Sequence, residues 1–399
     1  MTLPEYDFSL KNGLRVPPLG RRLRLGQVGG GQGAIVGNWH RNGARLSNHW
    51  DLCAGALSRN ADIAARSAWD TVIPLDRSYD DFRAMAEAEA SREDGIEAVC
   101  ICTPNISHFE IAKTFMQAGI DVILDKPITT TIADAQDLVQ LAKDRNVVFA
   151  VTYPYAFHAM IRQAQSLIVQ GALGPIRQVM VEYVQDWGTT SEAEENASVA
   201  WRRDPNIVGR TSATGDIGTH AYHLMKTMTG LTAKRLRADF HQCGGTKELE
   251  DTAFIKMDLS NGAPAQIWVT QAAPGNACGL LIRVFGEHRG LSWDQEYPEQ
   301  LIYSPLDAPQ QIFSRGQGAG LSPAAERLAH LPRGHGEALT DAWGNLYSEI
   351  GMVIAARRAG VTLPKGLVQV PFGEDGLDGV KFMEACADSA QEDAKWVHL

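Results

Sequence analysis

Between residues 21 and 153, short apolar runs alternate with amphipathic stretches. Leu23–Val28 (LRLGQV), Trp50–Leu57, Glu97–Thr103 (EAVCICT), Ile120–Leu124 and Val147–Thr152 have strand length and near-continuous apolar character. That is the mark of strands buried on both faces. Tyr79–Ala90, the stretch that Ser107 caps and that runs to Gly119, and Thr131–Asp144 show the spacing of amphipathic helices. This alternation predicts a parallel, doubly wound sheet. After Tyr153 the pattern changes. A helix over His158–Gln170 stops at Gly171 and Gly174-Pro175, and a long strand follows over Ile176–Asp186. Further strands are predicted over Lys234–Phe240, Thr252–Asp258, Ala265–Gln271, Leu280–Phe285, Gly290–Trp293 and Gln300–Tyr303. Short connections and polar alternation there predict a large, open, mostly antiparallel sheet. One face would pack on helices and the other would be free to meet a partner sheet, a route to homo-dimers and tetramers.

The expected organisation is an aperiodic arm over 1–20, an α/β doubly wound domain over 21–153 and an α+β domain over 154–399. Residues 305–334, rich in glycine and proline, are expected to form an excursion loop. Glu337–Arg358 is expected to be the final long helix, able to pack back on the first domain.

Composition narrows the function. The chain has 399 residues, 44% hydrophobic and 21% charged, which is enough apolar material for two ordinary globular domains. A net charge of -10 argues against a nucleic-acid binder, which needs a basic face. No apolar run is long enough to span a membrane. The N-terminal MTLPEYDFSLKNG carries charges and a proline where a signal peptide needs an apolar core, so a cytoplasmic protein is expected. The six cysteines form no CxxC pair and no His/Cys cluster has zinc spacing. Cys100 and Cys102, two apart in a strand, read as buried thiols.

Candidate chemistry begins at the end of the first strand. Gly29-x-Gly31-x-x-Ala34 has the GxGxxG/A form of a dinucleotide-binding turn, and it sits between a strand and a helix. Gly29 allows the tight turn, Gly31 lets backbone approach a pyrophosphate, and Ala34 is small enough for helix packing. The helix start supplies free N–H groups and a positive dipole end. After the second strand, where an acidic residue would bond the ribose of NAD, stand Ser58, Arg59 and Asn60. An arginine there can meet a 2′-phosphate, so NAD and NADP both remain open.

Ile120–Pro127 (IDVILDKP) puts Lys126 at the carboxyl end of a strand, where open α/β sheets bind ligands. Partial desolvation there would lower the lysine pKa toward acid/base use. Asn105 lies at the same sheet edge. His108, in the first turn of the next helix, is either structural or part of the site rim. Gly215-Asp216-Ile217-Gly218-Thr219-His220 adds a second element. Asp216 and His220 are four apart, so on a helix they share a face about 5.4 Å, one turn, from each other. A carboxylate beside an imidazole raises its basicity and fixes its tautomer. His223 would allow a three-ligand metal site, but nothing else is spaced to complete the shell, and no metal is expected. A buried helical histidine beside an N-terminal aspartate is the structural alternative. Tyr153, Tyr155, Trp187 and Trp201, each ordinary as packing, together favour stacking on a sugar ring.

Taken in order, these pieces resemble the Gfo/Idh/MocA oxidoreductases, which include glucose-fructose oxidoreductase and inositol dehydrogenase. The matching motifs are the glycine turn at Gly29, TPNISH at Thr103–His108, DKP at Asp125 (where the family usually has EKP) and GDIGTH from Gly215. They run in the family's order from about residue 22 to residue 290. The glycine-rich start, QDW at Gln185–Trp187 and AWR at Ala200–Arg202 resemble the branch that holds levoglucosan dehydrogenase and related glycoside oxidisers.

The resemblance implies a Rossmann domain followed by an open-sheet domain. It implies a catalytic set matching Lys126, Asp216 and His220, and hydride transfer between NAD or NADP and a carbohydrate or polyol hydroxyl. Cofactor contacts would come from Gly29, Gly31, Gln32, Gly33, Ala34 and Ile35, then Ser58 and Arg59, then Thr103, Pro104, Asn105, His108, Asp125 and Lys126, with Trp201 and Arg202. Substrate contacts would come from Lys126, Tyr155, Trp187, Asp216, His220 and His223. Two departures bear on the substrate. TYPYAFH at Thr152–His158 replaces an arginine-rich turn, and His223 stands where many members carry aspartate. A cofactor-binding regulator without turnover and a metal-dependent lyase are the readings from other classes.

Overall fold

A computed structural model describes residues 19–190, 197–245, 248–316 and 320–399. The arm read over 1–20 lies, up to residue 18, outside the described residues. Two compact units emerge, and neither is contiguous. Of the described residues, the first comprises those up to Thr129, Ala133–Pro154 and Thr340–Leu377, and the second comprises Thr130–Ile132, those between Tyr155 and Leu339, and Asp378–Leu399. Residues 340–377 therefore stand in the first unit, not with the rest of 154–399.

The first unit holds a parallel sheet of five strands in the order β2-β1-β3-β4-β5. They are β1 (Leu23–Gly29), β2 (Trp50–Ala56), β3 (Ala98–Cys102), β4 (Asp121–Leu124) and β5 (Phe149–Val151). The apolar runs that predict these strands are buried: Val99, Cys100, Ile101, Val122, Ile123 and Leu124 have no exposed surface. Helices Val36–Ser47, Ala61–Thr71, Phe82–Ser91, His108–Gln117 and Ile132–Arg145 connect them. Two of these starts are capped by polar side chains, Asn60 taking the Ile63 N–H and Asp81 the Ala84 N–H.

The helix Leu339–Ala359 covers the same unit. Tyr347 accepts the Trp50 indole N–H on its carbonyl and meets His40 Nδ1 through its hydroxyl at 2.7 Å. At the start of β4, Asp121 is fully buried and Arg357 donates to both its oxygens at 2.6 Å. Burial drives the Asp121 pKa up, against the pull of Arg357.

The expectation that this helix is the last fails. A helix of 19 residues, Gly373–Gln391, follows it. Its glycine-rich start, GEDGLDG, reads as a breaker in one dimension. In three dimensions the glycines are contact points: a Cβ on Gly373 would fall 2.4 Å from Phe149, and one on Gly376 would fall 2.6 Å from Ile128.

The second unit holds a sheet of nine strands among the described residues, ordered β13-β12-β11-β10-β6-β9-β8-β7-β14. In chain order these are β6 (Ile176–Val184), β7 (Ala233–His241), β8 (Thr252–Leu259), β9 (Pro264–Thr270), β10 (Gly279–Gly286), β11 (Arg289–Asp294), β12 (Gln300–Pro305), β13 (Gln311–Ser314) and β14 (Val397–His398). Only β6 and β9 pair in parallel. Period-2 alternation sends Val179, Val181, Ile255, Ile267, Val269, Leu280 and Ile282 to one face, where they pack on Met160, Ile161, Leu224 and Met225. Those four sit on the helices Ala159–Val169 and Thr219–Thr229. The loop expected over 305–334 is not structureless. It carries β13 and a short helix at Pro323–Arg327, and buried Arg315 draws it in by pairing with Glu299 and Glu337. No helix among the described residues is long and apolar enough to cross a membrane.

Removing Arg357 leaves a buried carboxylate with weaker compensation. Arg357→Ala should lower the unfolding free energy by about 2 kcal/mol. Urea denaturation of the variant against wild type measures this.

Candidate active site

In the first unit the chemistry gathers where strands end. β1 runs into three consecutive glycines, and Gly29 and Gly30 take the left-handed φ values of 78° and 71°. A Cβ on Gly31 would stand 2.7 Å from the Leu57 carbonyl oxygen and 2.8 Å from Ser67 Oγ. The close approach of helix to strand rests on Gly37, whose Cβ would fall 2.4 Å from the Gly30 Cα. This corrects the reading of Ala34 as the packing residue; Ala34 is exposed. The helix Val36–Ser47 begins without a side-chain cap and without an acidic residue in its first turn. A bare helix start under a glycine turn fits a dinucleotide pyrophosphate.

Gln32 and Gly33 lie along this turn. The Gln32 N–H is taken by Ser67 Oγ and its amide by Asp70, so its side chain is turned to the second helix. Ile35 is half exposed. Arg41, which the sequence did not single out, donates to the Gly30 carbonyl at 2.8 Å and ties the helix back to the turn. After β2, Ser58 Oγ accepts the Asn60 N–H, and Asn60 caps the next helix. Arg59 is exposed. Of that trio, Arg59 alone is clear of cap bonding.

Thr103, Pro104 and Asn105 follow β3. Ser107 Oγ donates within 2.7 Å of both Thr103 Oγ1 and the Pro104 carbonyl. His108 is 1% exposed, and its Nδ1 and Nε2 each face a carbonyl at 2.8 Å, of Pro127 and of Thr103. Burial lowers its pKa against the pull of the Pro127 carbonyl. His108 thus clamps two loops at the sheet edge, one of them the loop of Lys126. Asp125 Oδ1 accepts the Lys126 N–H and the Thr152 hydroxyl, which ties the DKP turn to the end of β5. Lys126 is half-buried and the Lys126–Pro127 peptide is cis.

In the second unit Asp216 and His220 stand on one continuous helical stretch. Thr214–Gly218 forms a π-turn, and the α-helix Thr219–Thr229 follows. Sequence reasoning predicted a plain α-helix here; the wider turn is a local bulge of the kind that recurs at functional sites. Its start is capped from another loop. The Glu250 carboxylate accepts the N–H groups of Ser212 and Thr214 at 2.8–3.0 Å. Burial pushes the Glu250 pKa up to about 7 against those bonds.

Asp216 Oδ2 receives Gln271 Nε2 at 2.9 Å and lies 3.6 Å from Arg202 Nε. The Arg202 guanidinium stacks on Trp201, with 4.5 Å to the ring centroid. Trp201 and Arg202, read as cofactor contacts, are thus placed beside Asp216. Tyr155 sets its ring edge-on to His220, centroids 4.9 Å apart, and its hydroxyl meets that of Tyr183. Tyr183 reaches Cys278, which also receives Gln185; Gln185 in turn accepts the Trp187 indole N–H at 2.7 Å. This chain joins Tyr155 to Trp187. His223 is buried with Nε2 3.4 Å from Thr227 Oγ1, and burial holds its pKa well below the usual value. Among the described residues no group of three His, Cys, Asp or Glu could hold a metal ion.

Gln271, Tyr183, Cys278, Glu250 and Arg41 were not legible as site residues. They carry no motif, and their roles arise from chain pairing across long separations. The π-turn had one signal, the glycines flanking Asp216.

Comparison with known proteins agrees with these elements. Residues 23–153 match the model of the GFO_IDH_MocA oxidoreductase family, NAD-binding Rossmann fold, and residues 161–292 match the GFO/IDH/MocA C-terminal domain. The chain is 34% identical over 395 residues to the uncharacterized oxidoreductase YfiI of Bacillus subtilis, covering 97% of this chain and 99% of that one. It is 25% identical over 410 residues to levoglucosan dehydrogenase of Pseudarthrobacter phenanthrenivorans, covering 95% and 98%. The crystal structure of an inositol dehydrogenase homolog from Azotobacter vinelandii, complexed with NAD+, superposes with TM-score 0.93 at 32% identity, covering 98% of this chain and 100% of that one.

The crowding around Gly31 gives a test. Gly31→Ala should displace the turn and weaken NAD binding about tenfold or more, measured by titration calorimetry. Wild-type affinity would remove the turn from the cofactor seat.

Proposed function

The chain belongs to the Gfo/Idh/MocA oxidoreductase family, and from that premise we propose that it is an NAD(P)-dependent dehydrogenase of a secondary hydroxyl on a sugar, anhydrosugar or glycoside. The observation that carries this reading is the Asp216 carboxylate, held by Gln271 and Arg202 on the same helical stretch as His220. A fixed carboxylate one turn from an imidazole is a relay for taking a hydroxyl proton.

In this mechanism His220 accepts the hydroxyl proton as the C–H bond of the carbinol carbon breaks. Asp216 orients the ring and balances the imidazolium that forms. Lys126 supplies a cationic N–H donor that steadies negative charge developing on the oxygen. Gly29–Ala34 and the bare helix start would hold the pyrophosphate of a dinucleotide, whose nicotinamide would supply the hydride acceptor, or the donor in the reverse direction. Half-buried Trp187 is the ring offered to a pyranose, while Tyr155, buried against Tyr183, backs His220. The tie of Ser58 and Asn60 to helix capping leaves Arg59 as the contact that decides between NAD and NADP. A polyol is the second reading, favoured by the 32% identical inositol dehydrogenase homolog solved with NADH and myo-inositol.

We also assign the outer face of the nine-stranded sheet to a second copy of this chain. Phe254 and Trp268 stack there with centroids 6.1 Å apart, and Phe285 and Ile312 are exposed. All six cysteines are free thiols, which supports a cytoplasmic setting.

Absorbance of the reduced nicotinamide, followed with NAD and NADP against pyranoses, levoglucosan and inositols, tests the class. Lys126→Ala should cut turnover by about 100-fold or more with dinucleotide still bound; wild-type turnover would overturn its assignment. Trp268→Glu should shift the sedimentation coefficient toward that of the monomer, and an unchanged value would remove the sheet face as the interface.

A further inference from the structure

Asp216 is a quarter exposed, and the groups that hold it differ in kind. Arg202 brings a full charge from a short turn, stacked on Trp201. Gln271 brings a neutral amide from the end of β9 and is only 2% exposed. Both meet the same oxygen, Oδ2.

The Gln271 backbone is fixed on both sides. Its N–H donates to the Asp251 carbonyl at 2.8 Å, and its carbonyl accepts the Gly188 N–H at 2.7 Å, one residue beyond Trp187. Asp251 is fully buried, its carboxylate accepting the N–H groups of Cys243 and Gly244 and the Thr252 hydroxyl at 2.7–2.8 Å. Gln271 therefore reaches Asp216 from a rigid mount.

We propose that Gln271 is the positioning residue of the Asp216 carboxylate, setting its plane toward His220. This rests on the relay described above. The terminal torsion of aspartate is broad and roughly two-fold, so an unheld carboxylate samples orientations that do not serve an imidazole one turn away. A bond from an immobile amide removes that freedom. The donor is neutral, so it favours the anion without adding a charge that would offset the pull of Asp216 on His220. Charged or titratable groups that meet the pair among the described residues include Arg202, Tyr155 on the turn Pro154–Phe157, and Tyr183 on β6. All are kept in the variants below.

The test uses the full chain as Gln271→Leu and Gln271→Glu, with Asp216→Asn as reference. The first readout needs no substrate: NMR titration of the His220 ring, assigned through His220→Gln. The second is the pH dependence of kcat/KM with NAD and levoglucosan or myo-inositol. In Gln271→Leu the His220 midpoint should fall by about half a unit or more, and kcat should fall about tenfold while KM for NAD stays constant. In Gln271→Glu two carboxylates share the space, so the acid limb of the profile should rise by about one unit. A purely structural glutamine would lower the thermal midpoint and leave both titrations in place, and that result overturns the proposal. Should Gln271→Leu not fold, Gln271→Glu decides by the same readouts. If Asp216→Asn moves the His220 midpoint and turnover but neither Gln271 variant does, this inference alone falls. If Asp216→Asn moves neither, the relay falls and takes this inference with it.

Discussion

A parallel sheet buried on both faces has room for chemistry only where its strands end, and the first unit is arranged around that constraint. Strand interiors spend their backbone groups on neighbours and their side chains on packing. Polar residues collect at the carboxyl ends of β1, β3 and β4: the glycine turn, Thr103–His108 and the DKP turn. The last two are tied to each other and to the end of β5. His108 joins the Thr103 and Pro127 carbonyls, and Asp125 joins Lys126 to Thr152. The amino ends carry a different load. Asp121 and Glu97 face Arg357 and Arg358 of the covering helix there, an arrangement that serves attachment of that helix.

The second unit solves the opposite problem. Its sheet has one face on helices and one without cover among the described residues, so its buried chemistry sits between sheet and helix. Asp216 and His220 lie on that helix, and the sheet supplies their neighbours, Gln271 from the end of β9 and Tyr183 from β6. The cap on the helix comes from Glu250, just before β8. A carboxylate at a helix start favours its charged form through free N–H groups, while burial opposes it. The result is a group whose titration lies near neutrality, two residues of chain from Thr252 and the strand that pairs with β9.

Much of the architecture was legible in the sequence because burial imposes a period. Two-sided apolar runs named the parallel strands, and polar alternation named the antiparallel ones. Motifs with a fixed local geometry were legible too: glycines at a strand end, DKP at another, GDIGTH opening a helix. The misreadings share a cause. No long helix was expected beyond Arg358, and 305–334 was expected to be a loop, yet Gly373 and Gly376 are where backbone meets Phe149 and Ile128, and Arg315 anchors the long excursion. Composition records the loss of local propensity; it does not record a contact that compensates.

The sequence by itself determined the two-part α/β plan and the glycine turn, and it placed Lys126 at a strand end and Asp216 and His220 on one helix, because each depends on neighbours within a few residues. Tertiary structure alone decided that Gln271 holds Asp216, that Glu250 caps its helix, that Tyr155, Tyr183, Cys278 and Gln185 form one chain to Trp187, and that Gly37 rather than Ala34 packs on the turn. Those contacts join residues tens of positions apart or turn on the angle of a helix. They are fixed by strand register and packing distance, which no local pattern encodes.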